Sequence, residues 1–196
     1  MTKLFSLSDL QKDLQKNAPD SSDRTEILRT KFVQKHLTKI NNLKELMGNF
    51  PSPGETIFLF TLKSFNAFTF IVYIIHHIGS IDELTFSTYG LNDRILTSLL
   101  KWYDKGEIKK VNISISDSIK HRVPKVFDTL EKQNGKREIN IRYCWNHSKI
   151  TLIKCANNYF VIEGSGNFSE NALHEQYIFM NDQEIYNFRR SCIFPM

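Results

Sequence analysis

A histidine, a lysine and a small polar turn are the residues of this sequence best suited to chemistry. His147 and Lys149 are separated by one residue, and the segment 164–167 reads Gly-Ser-Gly-Asn. Imidazole is a nucleophile near neutral pH, while ammonium, hydroxyl and amide donors stabilise the oxygens of a phosphate. These residue types in this order favour attack on the phosphorus atom of a phosphodiester.

Strand-like segments adjoin both parts of this pattern. Residues 150–153, Ile-Thr-Leu-Ile, follow the lysine, and residues 159–162, Tyr-Phe-Val-Ile, precede the turn. Two neighbouring strands would bring the two parts together in space. We therefore expect the functional residues to lie at one end of a β-sheet.

The rest of the chain predicts an α/β fold with a mixed central β-sheet flanked by helices. Strand-like segments lie at 56–62, 83–88, 111–116, 139–144, 149–154, 158–163 and 175–180, and helical segments at 65–78, 92–105 and 124–133. Alternating strands and helices are typical of such a sheet. Apolar residues also recur at helical spacing over 22–47, and the prolines and glycine of 51–54 end that pattern. We predict an N-terminal helical arm over 1–50 and an α/β domain over 51–196.

Composition limits the classes of protein to consider. The chain has 196 residues, of which 41% are hydrophobic, enough for the core of one domain. No apolar run reaches the roughly 18 residues of a membrane span, and the first residues lack a secretory apolar core. Cys144, Cys155 and Cys192 form neither a zinc pair nor a disulfide framework, so we expect reduced thiols packed as small apolar side chains. A cytoplasmic protein without a metal or cofactor is the expectation.

Positive charge is concentrated ahead of the histidine motif. The net charge is +5, and residues 101–150 carry 12 Lys or Arg against 6 Asp or Glu. This distribution favours a polyanion such as nucleic acid as the partner, with a lysine-rich solvated surface as the alternative. Lys136, Arg137 and Arg142 are candidate contacts to a phosphate backbone, with the same alternative.

Residues 147–177 resemble the HxK and GSxN motifs and the downstream glutamate of the phospholipase D superfamily. The matching residues are His147, Lys149, Gly164, Ser165, Gly166, Asn167 and Glu175. The superfamily usually has an aspartate five residues after the lysine, where this chain has Lys154. Because that aspartate is assigned a supporting structural role, its replacement affects the expected activity less than loss of His147 or Lys149 would. Small phage and bacterial members of the superfamily resemble this chain in their size and in having one motif.

The resemblance implies a role for each matching residue. His147 would be the nucleophile that forms a phosphohistidine, and Glu175 would hold its other ring nitrogen. Lys149, Ser165 and Asn167 would donate hydrogen bonds to the non-bridging phosphate oxygens. The residues expected to contact the substrate around this centre are Gly164, Gly166, Trp145, Lys154 and Arg142. Core packing is the competing interpretation for Trp145.

The family mechanism needs two histidines, and this chain has one motif. A homodimer would supply the second, so that one His147 attacks while the other protonates the leaving oxygen. His76, His77 and His121 are alternative donors within the same chain. The adjacent His76 and His77 have no carboxylate or cysteine cluster beside them that would indicate a metal site.

The function expected from these observations is a metal-independent nuclease that cleaves DNA or RNA. A phospholipid phosphodiesterase or transferase would use the same chemistry on a different substrate. A non-catalytic member of the fold that binds nucleic acid or a protein is the alternative from another class.

Overall fold

The computed structural model describes residues 24–29, 33–38, 49–61, 66–136, 138–169 and 175–195. Within these ranges nine strands form one sheet. The strands are β1 (Arg24–Arg29), β2 (Val33–Thr38), β3 (Thr56–Thr61), β4 (Glu83–Thr88), β5 (Val111–Ser116), β6 (Ile139–Cys144), β7 (Ile150–Cys155), β8 (Asn158–Gly164) and β9 (Glu175–Asn181). The helices are α1 (Phe68–Ile78), α2 (Asp93–Asp104), α3 (Ile119–Arg122), α4 (Pro124–Gln133) and α5 (Gln183–Ile193).

The order of strands brings the two sequence motifs to one edge of the sheet. The order is β2-β1-β3-β9-β8-β7-β4-β5-β6. Strands β4, β5 and β6 are parallel to one another, and β7 is antiparallel to both β4 and β8. The carboxyl ends of β4, β5, β6 and β8 therefore meet the amino ends of β7 and β9. We call this end of the strands the His147 edge, and the opposite end, where β7 finishes, the Lys154 edge. Neither name refers to an outermost strand of the sheet.

The expected mixed sheet flanked by helices is confirmed. The strands from β3 to β9 and helices α1, α2 and α4 agree with the sequence-based elements to within a few residues. Leu62 and Phe65, which the sequence placed in a strand and a helix, lie outside the described residues. The short helix α3 and the last helix α5 were not predicted.

The predicted N-terminal helical arm is wrong over residues 24–29 and 33–38. The backbone there forms β1 and β2, and β1 pairs with β3 in antiparallel register. Apolar spacing in six-residue segments fits a helix or a strand, and the unpaired backbone groups along the edge of β3 favour strand addition. The remainder of residues 1–48 lies outside the described residues, and the domain boundary after residue 50 stays a prediction.

Two unequal layers cover the sheet. Helices α1, α2 and α4 pack on the side that carries the main apolar core. Phe70 of α1, for example, contacts the rings of Tyr177 and Phe179 with centroids 5.4 and 5.2 Å away. On the other side, Tyr186 and Ile193 of α5 pack on Leu152 and Val161 in a smaller cluster.

Buried polar residues distinguish the α5 side of the sheet. Along β5, Asn112, Ser114 and Ser116 alternate with apolar residues, and all three are buried. The Asn112 amide donates to Glu83 Oε1 at 2.8 Å and accepts from Asn140 at 3.0 Å. Such groups are tolerated in a core when they are hydrogen-bonded. The α5 side of the sheet therefore contains buried polar groups that are hydrogen-bonded to one another.

No helix within the described ranges is long and apolar enough to cross a membrane. The three cysteines are free, but only Cys155 has the buried environment that the sequence led us to expect. Cys144 is half-buried and Cys192 is exposed.

Candidate active site

The His147 motif lies in the loop between β6 and β7, and its central residue faces the interior. Ser148 Oγ lies 2.6 Å from Ser87 Oγ and donates to Asn146 Oδ1 at 2.7 Å. Ser148 is turned inward, whereas its neighbour His147 is exposed and Lys149 is half-buried.

Asn146 fastens this loop to two strands. Its amide nitrogen lies 2.8 Å from Ser87 Oγ, 3.3 Å from the Thr88 carbonyl and 3.4 Å from the Ser114 carbonyl. Its side-chain oxygen accepts from the Ser148 N–H at 2.8 Å. One side chain thus ties the motif to the carboxyl ends of β4 and β5. Sequence reasoning missed Asn146, because its partners Ser87 and Thr88 belong to a strand that is distant in sequence.

Lys149 and His147 contact each other directly. The Lys149 ammonium donates to the His147 carbonyl at 2.7 Å and lies 3.2 Å from the ring nitrogen Nδ1. Burial lowers the pKa of Lys149, and the negative charge of Glu175 opposes that shift. While Lys149 is an ammonium, Nδ1 must act as the acceptor, which places the ring proton of a neutral His147 on Nε2.

Glu175, at the start of β9, is bound by Ser165 instead of His147 in this structure. The carboxylate is buried, with 7% exposure, and the Ser165 hydroxyl donates to its Oε2. The Ser165 oxygen accepts in turn from the Gln176 N–H at 3.1 Å. Within the described residues, the predicted contact between Glu175 and the His147 ring is therefore absent, and Glu175 acts on the site through its charge on Lys149.

The glycines of the turn are required by Tyr177. A Cβ atom at Gly164 would overlap the Gln176 carbonyl oxygen and the Tyr177 ring, and one at Gly166 would overlap the Tyr177 hydroxyl. The space at these positions is occupied by a buried side chain of the neighbouring strand. Close packing of β9 on the turn is thus a sufficient reason for both glycines, separate from the predicted approach of a phosphate.

Asn167 lies beside the end of β4. The Thr88 hydroxyl donates to the Gly90 carbonyl at 2.9 Å and lies 3.5 Å from Asn167 Oδ1. Leu91 and Phe168 form an isolated parallel bridge just beyond. The turn and the His147 loop therefore both rest on the end of β4, which brings the two motifs to the same edge of the sheet.

The three remaining predicted contacts occupy different places. Trp145 is at the His147 edge and 96% exposed, so the core-packing interpretation is wrong. Arg142 lies within β6, where its Nη1 donates to the Ile193 carbonyl at 3.1 Å and holds the end of α5. Lys154 lies at the opposite edge, about 16 Å from Lys149 along an extended strand, and its Nζ is 5.6 Å from the Tyr159 ring. The structure does not bring Arg142 or Lys154 to His147.

The candidate basic contacts ahead of the motif are similarly dispersed. Lys136 is exposed in the turn before β6, at the Lys154 edge, and Arg137 lies outside the described residues. Neither adds a described contact to the His147 edge.

The alternative histidines separate into two groups. His76 and His77 lie in the last turn of α1, which ends at the Lys154 edge, and His77 Nδ1 is 2.7 Å from the Tyr73 carbonyl. His121 belongs to α3, which follows the carboxyl end of β5 at the His147 edge, and it is exposed. Only His121 among these three is on the same edge as the motif.

Sequence reasoning missed two further side chains beside His147. The Tyr89 ring lies 4.9 Å from the His147 ring, centroid to centroid, with a tilt of 48°. The Arg122 guanidinium lies 4.0 Å from the centre of the Tyr89 ring, and its Nη1 donates to the Tyr89 carbonyl at 3.2 Å. The available signal was that Tyr89 directly follows one predicted strand and Arg122 lies six residues after another, because carboxyl ends of parallel strands meet at one edge.

We looked for metal ligands among the described residues. No group of three or more His, Cys, Asp or Glu side chains there could hold an ion. The charged side chain that contacts the His147 ring is the Lys149 ammonium.

No protein-family model matches this chain, and no curated protein does. Similar solved structures include polyphosphate kinase from Porphyromonas gingivalis, with 15% identity over 63% of this chain and a TM-score of 0.48. An archaeal chromatin protein described as showing a novel mode of DNA binding has 13% identity over 77% of the chain and a TM-score of 0.43. Phosphatidylserine synthase from Haemophilus influenzae has 11% identity over 81% and a TM-score of 0.43. The chain spans 24%, 56% and 39% of those three proteins, respectively.

Proposed function

We propose that this protein is a metal-independent phosphodiesterase of the phospholipase D type that cleaves DNA or RNA through a phosphohistidine. The observation that carries the proposal is the exposed His147 ring with the Lys149 ammonium at its Nδ1, on a loop fixed by half-buried hydrogen bonds. A nucleophile and a cation held beside each other on a rigid support are the elements that phosphoryl transfer requires.

The first step is an exchange of partners by Lys149. In the free protein its ammonium contacts Nδ1, so the ring proton is on Nε2 and this nitrogen cannot attack. An anionic phosphate draws the ammonium away, because charge-assisted bonds to phosphate oxygens are stronger than a bond to neutral imidazole. The ring proton then transfers through water to Nδ1, and Nε2 becomes the attacking atom. Glu175 favours this step because its charge keeps Lys149 protonated.

The second step is displacement at phosphorus. A bond forms between Nε2 and phosphorus as the ester bond to the leaving oxygen breaks, and that oxygen takes a proton from a second histidine. Lys149 and Asn167 donate to the non-bridging oxygens. Ser165 joins them only if its hydroxyl leaves Glu175. Water then attacks phosphorus, the bond to Nε2 breaks, and the second histidine recovers its proton from that water.

A homodimer is the proposed source of the second histidine. His147 is exposed at the edge of the subunit, where a twofold partner can approach it. His121 is the alternative within one subunit, because it lies on the same edge. The two possibilities predict different activities for dimers that contain one wild-type subunit and one inactive subunit.

Nucleic acid is the proposed substrate class because cations and an exposed aromatic side chain share this edge. Trp145 is almost fully solvent-exposed beside the motif, which suits stacking on an unpaired base. The excess of basic residues over 101–150 favours attraction of a polyanion.

The central experiment is to trap the covalent adduct. The purified protein is incubated in EDTA with labelled single- and double-stranded DNA and RNA, then quenched with cold detergent at neutral pH, which preserves the acid-labile phosphohistidine and leaves RNA intact. We expect strand cleavage and a labelled adduct, both absent from H147A and present in the control K154A. Cleavage of none of these substrates would refute the nuclease proposal. Hydrolysis of phospholipid vesicles instead would identify the lipid enzyme, and binding without turnover would identify the non-catalytic alternative.

Mixed dimers test the stoichiometry. Wild-type and H147A chains are co-expressed in equal amounts, with H121A as the comparison variant. If both histidines of a dimer are needed, activity per total protein falls to about a quarter of the wild-type value, whereas independent subunits give about half. A value of half together with an inactive H121A would assign the acid to His121.

A further inference from the structure

Arg122 forms a second cationic position beside the proposed centre. We infer that Arg122, held against Tyr89, binds the phosphate adjacent to the one that His147 attacks, so that the substrate is a nucleic-acid strand with consecutive phosphates. This inference rests on the proposed function and specifies its substrate contacts.

The guanidinium has a fixed position because two contacts define it. It lies on the face of the Tyr89 ring at 4.0 Å, and its Nη1 donates to the Tyr89 carbonyl at 3.2 Å. Its helix α3 is anchored by Ile119, which is fully buried. Stacking of arginine on an aromatic ring leaves the edge of the guanidinium directed outward and reduces the entropy lost when it binds an anion.

The same residues connect Arg122 to the reacting groups. The centre of the Tyr89 ring lies 4.9 Å from the centre of the His147 ring and 4.0 Å from the Arg122 guanidinium carbon. A Cβ placed on Gly90 would lie 3.7 Å from Arg122 Nη2 and 3.8 Å from Asn167. Arg122 and the proposed phosphate-binding Asn167 therefore border the same glycine.

The separation fits one nucleotide step. The two ring contacts put the guanidinium within about 9 Å of the His147 ring. Successive phosphates of one strand advance by about 3.4 Å along a duplex axis and by more in an extended strand. A phosphate next to the reacting one can therefore reach Arg122, while the reacting phosphate remains with Lys149.

Other basic side chains accompany Arg122 on its helix. Asp93, at the start of α2 on the same edge, is paired with Lys125 at 2.7 Å. The last turn of α3 adds Lys120 and His121 to the same surface. The basic side chains of α3 favour binding of a polyanion at this position.

The test compares R122A with K132A, which removes one exposed charge from the far end of α4. In an H147A background, fluorescent oligonucleotide binding is measured against salt concentration. We expect R122A to reduce the salt slope by about 1 and K132A to leave it unchanged. In the active protein, R122A should lower kcat/KM for an oligonucleotide at least about tenfold more than for bis(p-nitrophenyl) phosphate, which has a single phosphodiester.

Two results would overturn this inference. One is an R122A salt slope equal to that of K132A. The other is an equal loss of kcat/KM on both substrates, which would put Arg122 on the reacting phosphate. If the wild-type protein cleaves nothing, the proposed function fails, whereas the salt slope still reports whether Arg122 contacts a nucleic-acid phosphate.

Discussion

The two ends of β7 carry similar residue types in opposite arrangements. At the Lys154 edge, carboxylates are paired with cations: Asp82 with Lys109 at 2.7 Å and Glu83 with Arg190 at 2.8 Å. At the His147 edge, the carboxylate of Glu175 is buried against a serine, while the cations lie at the surface. The His147 edge also has ion pairs, Asp93 with Lys125 and Glu163 with Arg189, but its Lys149 ammonium lies against the His147 ring.

Hydrogen bonding follows the same division. Glu83 Oε1 receives Asn112 and Thr85 as well as Arg190, so the Lys154 edge satisfies its polar groups internally. At the His147 edge the satisfied groups are beneath the surface, where Asn146 binds the strand ends. Internal hydrogen bonds thus hold the loop, and the His147 side chain that it carries is exposed.

The largest expected difference is between the two lysines at the ends of β7. K149A removes the cation that contacts His147 and should lower kcat about 10² to 10³-fold, the usual effect of losing a transition-state donor. K154A removes the same charge about 16 Å away and should change kcat less than about twofold. Initial rates of oligonucleotide cleavage measure both. Equal losses from the two variants would abolish the proposed distinction between the edges.

The protonation state of Lys149 gives the next test. Burial lowers the pKa of this ammonium, so activity that needs its charge should decline as the pH rises through a value below the ordinary lysine range. K149R keeps the charge at every accessible pH and should move the alkaline limb of the pH profile upward, at the expense of a lower maximum rate. An alkaline limb unchanged by K149R would assign it to another group.

Two asparagines test the internal supports of each edge. N146A removes the side chain that fixes the His147 loop, and N140A removes a half-buried partner of Asn112. Each should lower the free energy of unfolding by about 1 to 3 kcal/mol, because a buried partner is left unsatisfied. N146A alone should also lower kcat, by about tenfold or more, through misplacement of His147. Denaturant unfolding and cleavage rates separate the two effects.

The smallest expected effect on activity comes from Glu83. Burial raises the pKa of Glu83. The hydrogen bond and charge of Arg190, together with the Thr85 hydroxyl, lower it by more, so the pKa is below the ordinary glutamate value. The ionised carboxylate therefore stabilises the fold when the pH is above the ordinary glutamate pKa, and this contribution is lost as the pH falls through the folded-state pKa. E83Q should reduce the acid dependence of unfolding and change kcat less than about twofold. A steeper acid dependence in E83Q would contradict this assignment.

Local sequence patterns predicted most strands because each strand from β3 to β9 combines apolar residues with recognisable breaks. The two motifs were also placed at one edge correctly, since β7 and β8 are consecutive antiparallel strands. The spatial neighbours Asn146 and Ser87 could not be predicted in the same way, because their contact depends on where β7 inserts beside β4. Sequence order does not specify that insertion.

Other errors arose from tertiary contacts that override local preference. The strands β1 and β2 form where apolar spacing favoured a helix, because pairing with β3 stabilises an extended backbone. Arg142 was predicted near the substrate from its charge and proximity in sequence, but its side chain faces α5. Residue type identified the chemistry, and the direction of each side chain depended on the assembled sheet.

The packing of Tyr177 against the turn has a consequence for comparing sequences. Gly164 and Gly166 would be retained in a homologue that had lost its reaction entirely, since any larger residue would displace the tyrosine and open the sheet. Under the proposed function, a homologue that keeps both glycines but varies at His147 or Lys149 would have the fold without the activity. The glycines therefore report on the fold, whereas His147 and Lys149 report on the proposed reaction.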